Sequence, residues 1–199
     1  MVRRGVFICV EGLDGCGKTT QAKLLVRKLS RDYDVVYTAE PSNEPIGRFV
    51  KKTYLHSETR GQVEVEALLF AADRLEHLKN EVLPALDGGR VVVSDRYVFS
   101  SFAYQGAAGL GLDWIEEVNK HALRPDLAVF IDVEPETVVR RLKRNKSVME
   151  NLQTQVKVRE VYMKYVGNGR LVRINGNRSK REVARDLTNL AEDWLRKVR

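Results

Sequence analysis

Cysteine is nearly absent. Only Cys9 and Cys16 occur in 199 residues, with no CxxC pair and no His-rich neighbour, which excludes a disulfide framework and a zinc site of ordinary ligand spacing. Proline (5 residues) and aromatics (8%) are also sparse, so collagen-like or Pro-rich low-complexity chains do not fit. No apolar run reaches the ~18 residues that cross a bilayer. The opening Met1-Val2-Arg3-Arg4 leads into a five-residue apolar run, too short for a secretory signal. A cytoplasmic protein without a membrane partner is expected. Acidic residues are in deficit, 27 against 34 Lys and Arg, giving a net charge of +7 and a pI near 9.5. Such a chain suits polyanionic partners: nucleic acid, an anionic membrane surface or small phosphorylated molecules.

What is present is ordinary globular material, 43% hydrophobic and 31% charged. The 199 residues fit one domain that can bury a full core. Short β-branched runs at 6–10, 35–37, 91–93, 127–131 and 171–174 alternate with helical patterns near 18–31, 45–55, 62–86, 98–105, 112–122, 135–145, 149–166 and 179–197. The first, third and fourth strand runs are apolar without alternation, the mark of strands covered on both faces. Pro45 and Pro135 suit first helical turns, and Ser179 with Glu182 has capping-box spacing. The alternation predicts an α/β fold: a five-stranded parallel sheet with helices on both faces and ligands at the strands' carboxyl ends.

The chemistry starts at Gly12-Leu13-Asp14-Gly15-Cys16-Gly17-Lys18-Thr19, a G-x-x-x-x-G-K-[ST] loop between the first strand and the first helix. Glycines let backbone N–H groups turn inward on phosphate oxygens, and the helix N-terminus adds its positive dipole end. Lys18 then reaches the β- and γ-phosphates, and the Thr19 hydroxyl ligates Mg²⁺. Cys16 reads as a small residue filling a tight loop rather than an activated thiol. A GTPase would carry N-K-x-D, and the near match Asn119-Lys120-His121-Ala122 lacks the carboxylate. At the end of the third strand, Asp95 can join the Mg²⁺ shell and Arg96 can take a phosphate bidentately, although a simple strand-end ion pair fits the same two residues. Phe70 and Arg74 lie one helical turn apart, a spacing that could form a base-stacking site but by itself favours a core phenylalanine beside a solvated arginine.

The run Asp95-Arg96-Tyr97-Val98-Phe99-Ser100-Ser101-Phe102-Ala103-Tyr104-Gln105-Gly106 resembles the DRY-x-x-S-x-x-AYQ signature of the thymidylate kinase family. Leu68-Leu69-Phe70-Ala71-Ala72-Asp73-Arg74, the loop from Val10 to Thr20, Phe130-Ile131-Asp132 and the adenine loop around Ile174–Ser179 match the same family in order, over about residues 5–195. The resemblance implies a P-loop kinase fold with a short lid near 140–150, and transfer of a phosphoryl group from ATP to dTMP with Mg²⁺, serving dTTP biosynthesis. It implies that Gly12, Leu13, Asp14, Gly15, Cys16, Gly17, Lys18, Thr19, Thr20, Arg141 and Arg178 bind ATP. For dTMP it implies Asp14 at the 3′-hydroxyl, Phe70 and Arg74 at the base with Ser101 and Gln105, Arg96 at the phosphate, and Tyr104 against the sugar. Lys18, Arg96, Asp95 and the lid residue Arg144 would be catalytic, with Thr19 and Asp95 toward the metal. A homodimer through the 62–86 helix and no nucleic-acid partner are expected. The chain departs from the family in having Ala39 before Glu40-Pro41, where an arginine is frequent, and in lacking a clear match to a second family arginine near this loop, for which Arg48 is the candidate substitute.

Overall fold

In the computed structural model, which describes residues 5–53, 62–142 and 151–198, five parallel strands form one sheet in the order β2-β3-β1-β4-β5. The strands are β1 (Val6–Gly12), β2 (Val35–Ala39), β3 (Val91–Asp95), β4 (Leu127–Asp132) and β5 (Val172–Asn175). β1, β3 and β4 are buried along their whole length, as their unalternating apolar runs require, whereas the edge strands β2 and β5 are partly exposed. Each Val, Ile or Phe side chain removed from water in these strands contributes roughly 1.5–3 kcal/mol.

The helices are α1 (Lys18–Leu29), α2 (Pro45–Thr53), α3 (Val63–His77), α4 (Leu83–Asp87), α5 (Val98–Ala107), α6 (Leu112–Val118), α7 (Pro135–Arg141), α8 (Leu152–Gly167) and α9 (Lys180–Val198). They cover both faces of the sheet, α1 packing with α9 and α5 with α8. Pro45 and Pro135 open α2 and α7. Ahead of α9 the capping box is reciprocal: Ser179 N–H donates to Glu182 Oε2 (3.0 Å) and Glu182 N–H to Ser179 Oγ (3.3 Å).

Two expectations need correction. The single helix expected over 62–86 is interrupted by a π turn at Leu78–Val82, where Leu83 N–H reaches back to Leu78 O. Pro84 follows immediately and has no N–H to continue the regular ladder, so the chain widens before α4. The helix expected over 112–122 stops at Val118, its last carbonyls capped by Asn119 N–H. Residues 143–150, with Arg144 and most of the expected lid, lie outside the described residues.

Strand order reverses on either side of β1, with β3 on one side and β4 on the other. This is the switch point where a crevice opens beyond the carboxyl ends of a doubly wound sheet. The glycine-rich loop leaves β1 there.

Candidate active site

The loop from Gly12 to Gly17 is held by Cys16 N–H donating to Leu13 O (3.1 Å). Gly15 (φ 84°) and Gly17 (φ 99°) occupy left-handed backbone positions that side chains disfavour. Lys18 Nζ donates to Leu13 O (2.9 Å) and stands 3.6 Å from Asp14 Oδ1, folded over the cradle its charge would share with phosphate. Cys16 is buried and burial pushes its thiol up, with Lys18 opposing, so it fills the loop as a neutral group. The end of α7 reaches this loop: a Cβ placed on Gly15 would stand 3.2 Å from both Leu142 and Val138 O. Arg141, between those two residues in sequence, is exposed. Gln21 Nε2 on α1 donates to Lys180 O (3.1 Å), which ties in the start of α9. Just ahead of it, Arg178 pairs with Asp186 and reaches Asn175 O (3.3 Å).

Thr19 and Thr20 are exposed in the first turn of α1. Thr19 Oγ1 donates to Asp95 Oδ2 at 2.5 Å, and Tyr37 OH approaches the same oxygen at 3.4 Å. Burial and Asp95 push the Tyr37 phenol up to about 12, so it remains a donor. The other oxygen, Asp95 Oδ1, is buried with no hydrogen-bond partner among the described residues. A hydroxyl and a carboxylate with a spare oxygen, at the mouth of a phosphate loop, fit Mg²⁺, which takes one or two protein oxygens and completes its shell with phosphates and water.

Arg96 sits at φ 75°, a conformation costing of order 1–3 kcal/mol for a non-glycine residue. Three hydrogen bonds impose it: Arg96 N–H to Val10 O (3.0 Å), Ser94 Oγ to Arg96 O (2.6 Å) and Tyr97 N–H to Glu11 Oε1 (2.9 Å). The strain turns the guanidinium over the Tyr104 ring (5.1 Å), where it pairs with Asp14 and donates to Ser100 Oγ (3.0 Å). Tyr104 OH accepts from Asp14 N–H (3.0 Å), so sugar-side and phosphate-side candidates interlock.

Beside them lies a cavity of about 250 Å³ whose walls include Asp14, Phe70, Arg74, Arg96, Ser101, Tyr104 and Gln105. All seven residues expected at dTMP therefore meet in one place. Arg74 is buried, not solvated, because its charge is matched: Nε and Nη2 donate to Glu40 Oε2 (3.0 and 2.8 Å), Nη2 to Ser101 Oγ (3.1 Å) and Nη1 to Asn119 Oδ1. Asn119, the false start of an N-K-x-D motif, thus serves this guanidinium. Gln105 Nε2 donates to Glu66 Oε1 (2.9 Å), while its amide oxygen is buried without a partner among the described residues. Arg48 does not join the cavity; it is exposed and bonds Asn43 O.

Two buried carboxylates that no motif marks hold the walls of this cavity. Glu40 holds Arg74, and the only signal was its place before Pro41 at the end of β2. Glu11, inside an apolar strand, accepts from Tyr97 N–H, Ser100 N–H (3.3 Å), Ser100 Oγ (2.7 Å) and Tyr162 OH (3.0 Å). It thereby ties the start of α5 to β1. Burial pushes its carboxyl up to about 7 against the pull of these donors and of Arg96. An acid in an otherwise apolar buried strand was the legible clue.

A phosphate-binding loop at the switch point, facing a second cavity that combines an aromatic ring with buried and strained arginines, defines a P-loop kinase acting on small phosphorylated molecules. The family model described as thymidylate kinase matches residues 10–187. Three proteins named probable thymidylate kinase are similar over nearly all of both chains: that of Pyrococcus abyssi at 43% identity (96% of this chain, 98% of the relative), that of Thermococcus gammatolerans at 40% (96% and 98%), and that of Pyrobaculum aerophilum at 40% (96% and 98%). The chain belongs to the thymidylate kinase family and is an ATP:dTMP phosphotransferase.

Proposed function

We propose that the protein transfers the γ-phosphoryl of ATP to dTMP with Mg²⁺, giving dTDP for dTTP synthesis in the cytoplasm, as one domain with a lid over 140–150. The observation that carries the reading is the 250 Å³ cavity: a half-buried aromatic ring, Phe70, beside a buried guanidinium, Arg74, with a second guanidinium, Arg96, turned toward the P-loop. Phe70 stacks on thymine, Arg74 with Ser101 and Gln105 hydrogen-bonds its edge, and Tyr104 occupies the space a 2′-hydroxyl would need. On binding, the acceptor phosphate displaces Asp14 from Arg96, and the released carboxylate turns to the 3′-hydroxyl.

Phosphoryl transfer needs little covalent chemistry from protein, so alignment and charge neutralisation carry the rate. Gly12, Leu13, Gly15, Cys16, Gly17 and Thr20 line the donor phosphates, Lys18 moves from Leu13 O onto them, and Arg141 and Arg178 flank the adenine. Thr19 and Asp95 would hold Mg²⁺, which when bound would supply charge neutralisation to the phosphates. No arginine stands inside the loop, so the remaining positive charge comes from the lid, with Arg144 best suited by its bidentate fork.

Support for a homodimer is the exposed apolar side chains one α3 face carries: Leu68 is 50% exposed and Leu75 is 42% exposed. Among the described residues no helix is long and apolar enough to cross a membrane. A coupled ADP-release assay with ATP and Mg²⁺ across nucleoside monophosphates tests the reading. dTMP should be the best acceptor, and preference for another monophosphate, or ATP hydrolysis stimulated only by nucleic acid, would replace it.

A further inference from the structure

Arg74 and His77 lie three residues apart on α3, and the His77 side chain is fully buried. Its Nδ1 is 3.3 Å from Glu40 Oε1, the oxygen that Arg74 leaves free. Its Nε2 is 2.6 Å from Thr38 Oγ1. The Thr38 hydroxyl has a single hydrogen, and that hydrogen goes to Glu81 Oε2 (2.9 Å). Thr38 Oγ1 therefore accepts from Nε2–H, and the Glu40 carboxylate, which has no proton to give, accepts from Nδ1–H. With both ring nitrogens donating, the donor count leaves an imidazolium.

The surroundings agree. Glu40, Glu81 and Asp73 face the ring from the end of β2, the π turn and the preceding turn of α3, and Arg74, the neighbouring cation, is paired with Glu40. Asp73 is engaged by Ser42 N–H (2.9 Å) and Ser42 Oγ (2.5 Å). Burial alone would discharge the histidine, but the bond to Glu40 and the charges of Glu40, Glu81 and Asp73 outweigh it and raise its pKa.

We propose that His77, as an imidazolium, is a positioning residue for nucleobase recognition: it grips Glu40 Oε1, fixes Oε2 on the Arg74 fork, and so sets the guanidinium that faces the base cavity. The proton on His77 thereby controls acceptor affinity without touching the acceptor. A neutral ring keeps only one N–H, so either Glu40 or Thr38 loses its donor, and any bond that remains to Glu40 is no longer one between charged groups and holds the carboxylate less firmly on Arg74. Glu81, 38% exposed, connects this buried proton to solvent. The inference rests on the reading of the cavity as the dTMP site.

Imidazole nitrogen NMR gives a direct test, since the chain has only three histidines, His56, His77 and His121, and a His77→Gln variant assigns the signal. The expected result at pH 7.5 is a His77 ring protonated on both nitrogens; a neutral ring overturns the proposal. His77→Gln should raise the KM for dTMP about tenfold, as expected when a hydrogen bond between charged groups is lost, with kcat at saturating dTMP within about threefold and the KM for ATP unmoved. Equal losses toward both substrates would reduce His77 to a structural role and overturn it. If that variant does not fold, the exposed position offers Glu81→Gln. Between pH 7 and 9, above the second phosphate ionisation near 6, Glu81→Gln should move the His77 titration and the rise in dTMP KM downward together, and an unmoved KM profile overturns the proposal. The His77 spectrum and the Arg74 Nε–H resonance, which should shift in His77→Gln, need no substrate. Spectra as expected without turnover of dTMP would therefore refute the substrate reading, not the clamp.

Discussion

Replacing Phe70 by Ala separates a base platform from a core residue. Phe70 is half-buried on the cavity side of α3, four residues before Arg74, so its ring and the guanidinium approach a planar ligand from neighbouring turns of one helix. Stacking on a base is worth roughly 1–3 kcal/mol, which corresponds to a roughly 5- to 150-fold rise in the KM for dTMP. A fully buried Phe→Ala change costs about 3–5 kcal/mol of stability through the cavity it leaves. Phe70 already borders open space, so the loss of stability should be smaller, about 1–2 kcal/mol. Steady-state kinetics with each substrate varied in turn, beside thermal unfolding of the same preparation, reads both quantities. The expected outcome is a dTMP-specific KM effect, an unchanged KM for ATP and a modest drop in Tm. A protein that melts much earlier yet keeps wild-type dTMP kinetics would show that Phe70 serves packing and would remove the platform from the mechanism.

Lys18→Ala should lower kcat by about 10³-fold or more with the fold intact, given what single cationic phosphate contacts contribute in this chemistry; near-normal turnover would sink the phosphate-loop assignment. Tyr104→Ala should narrow the kcat/KM gap between dTMP and its ribose analogue, whereas Tyr104→Phe, which keeps the ring, should preserve it. An unchanged ratio in the alanine variant would take the sugar gate away from Tyr104. Glu11 gives a pH signature. Its carboxyl is raised from 4.5 to about 7 in the fold, so the folded state holds the extra proton between those values. Stability from this group is full below 4.5 and is lost as pH rises through 7, by up to about 3 kcal/mol. The difference in stability between wild type and Glu11→Gln should therefore change across that window in chemical unfolding; parallel profiles would contradict a buried carboxyl titrating there.

The sequence by itself determined the parts whose physics is local. Three unalternating apolar runs announced strands covered on both faces, the spacing of Ser179 and Glu182 announced a reciprocal cap, and the loop from Gly12 to Thr19 carries its own chemistry because backbone N–H groups, glycine conformations and a helix terminus act within a few residues. The ordered family motifs added the candidate acceptor residues, and those residues line one cavity. Tertiary structure alone decided how charges are matched inside it. Arg74 is buried because Glu40, 34 residues away, and Asn119, 45 residues away, meet it, and Arg96 holds a strained backbone because Glu11, Ser94 and Val10 converge on it. Helical spacing cannot tell a solvated arginine from a buried one, since the difference lies in partners that only folding brings near. The π turn before Pro84 has a local cause, yet periodicity over 62–86 runs through it unchanged. Burial raises the carboxyl of Glu11, whereas at His77 the bond to Glu40 and the charges of Glu40, Glu81 and Asp73 outweigh burial and raise the imidazole. A desolvated charge is governed by the few groups that touch it, and the order of residues along the chain does not name them.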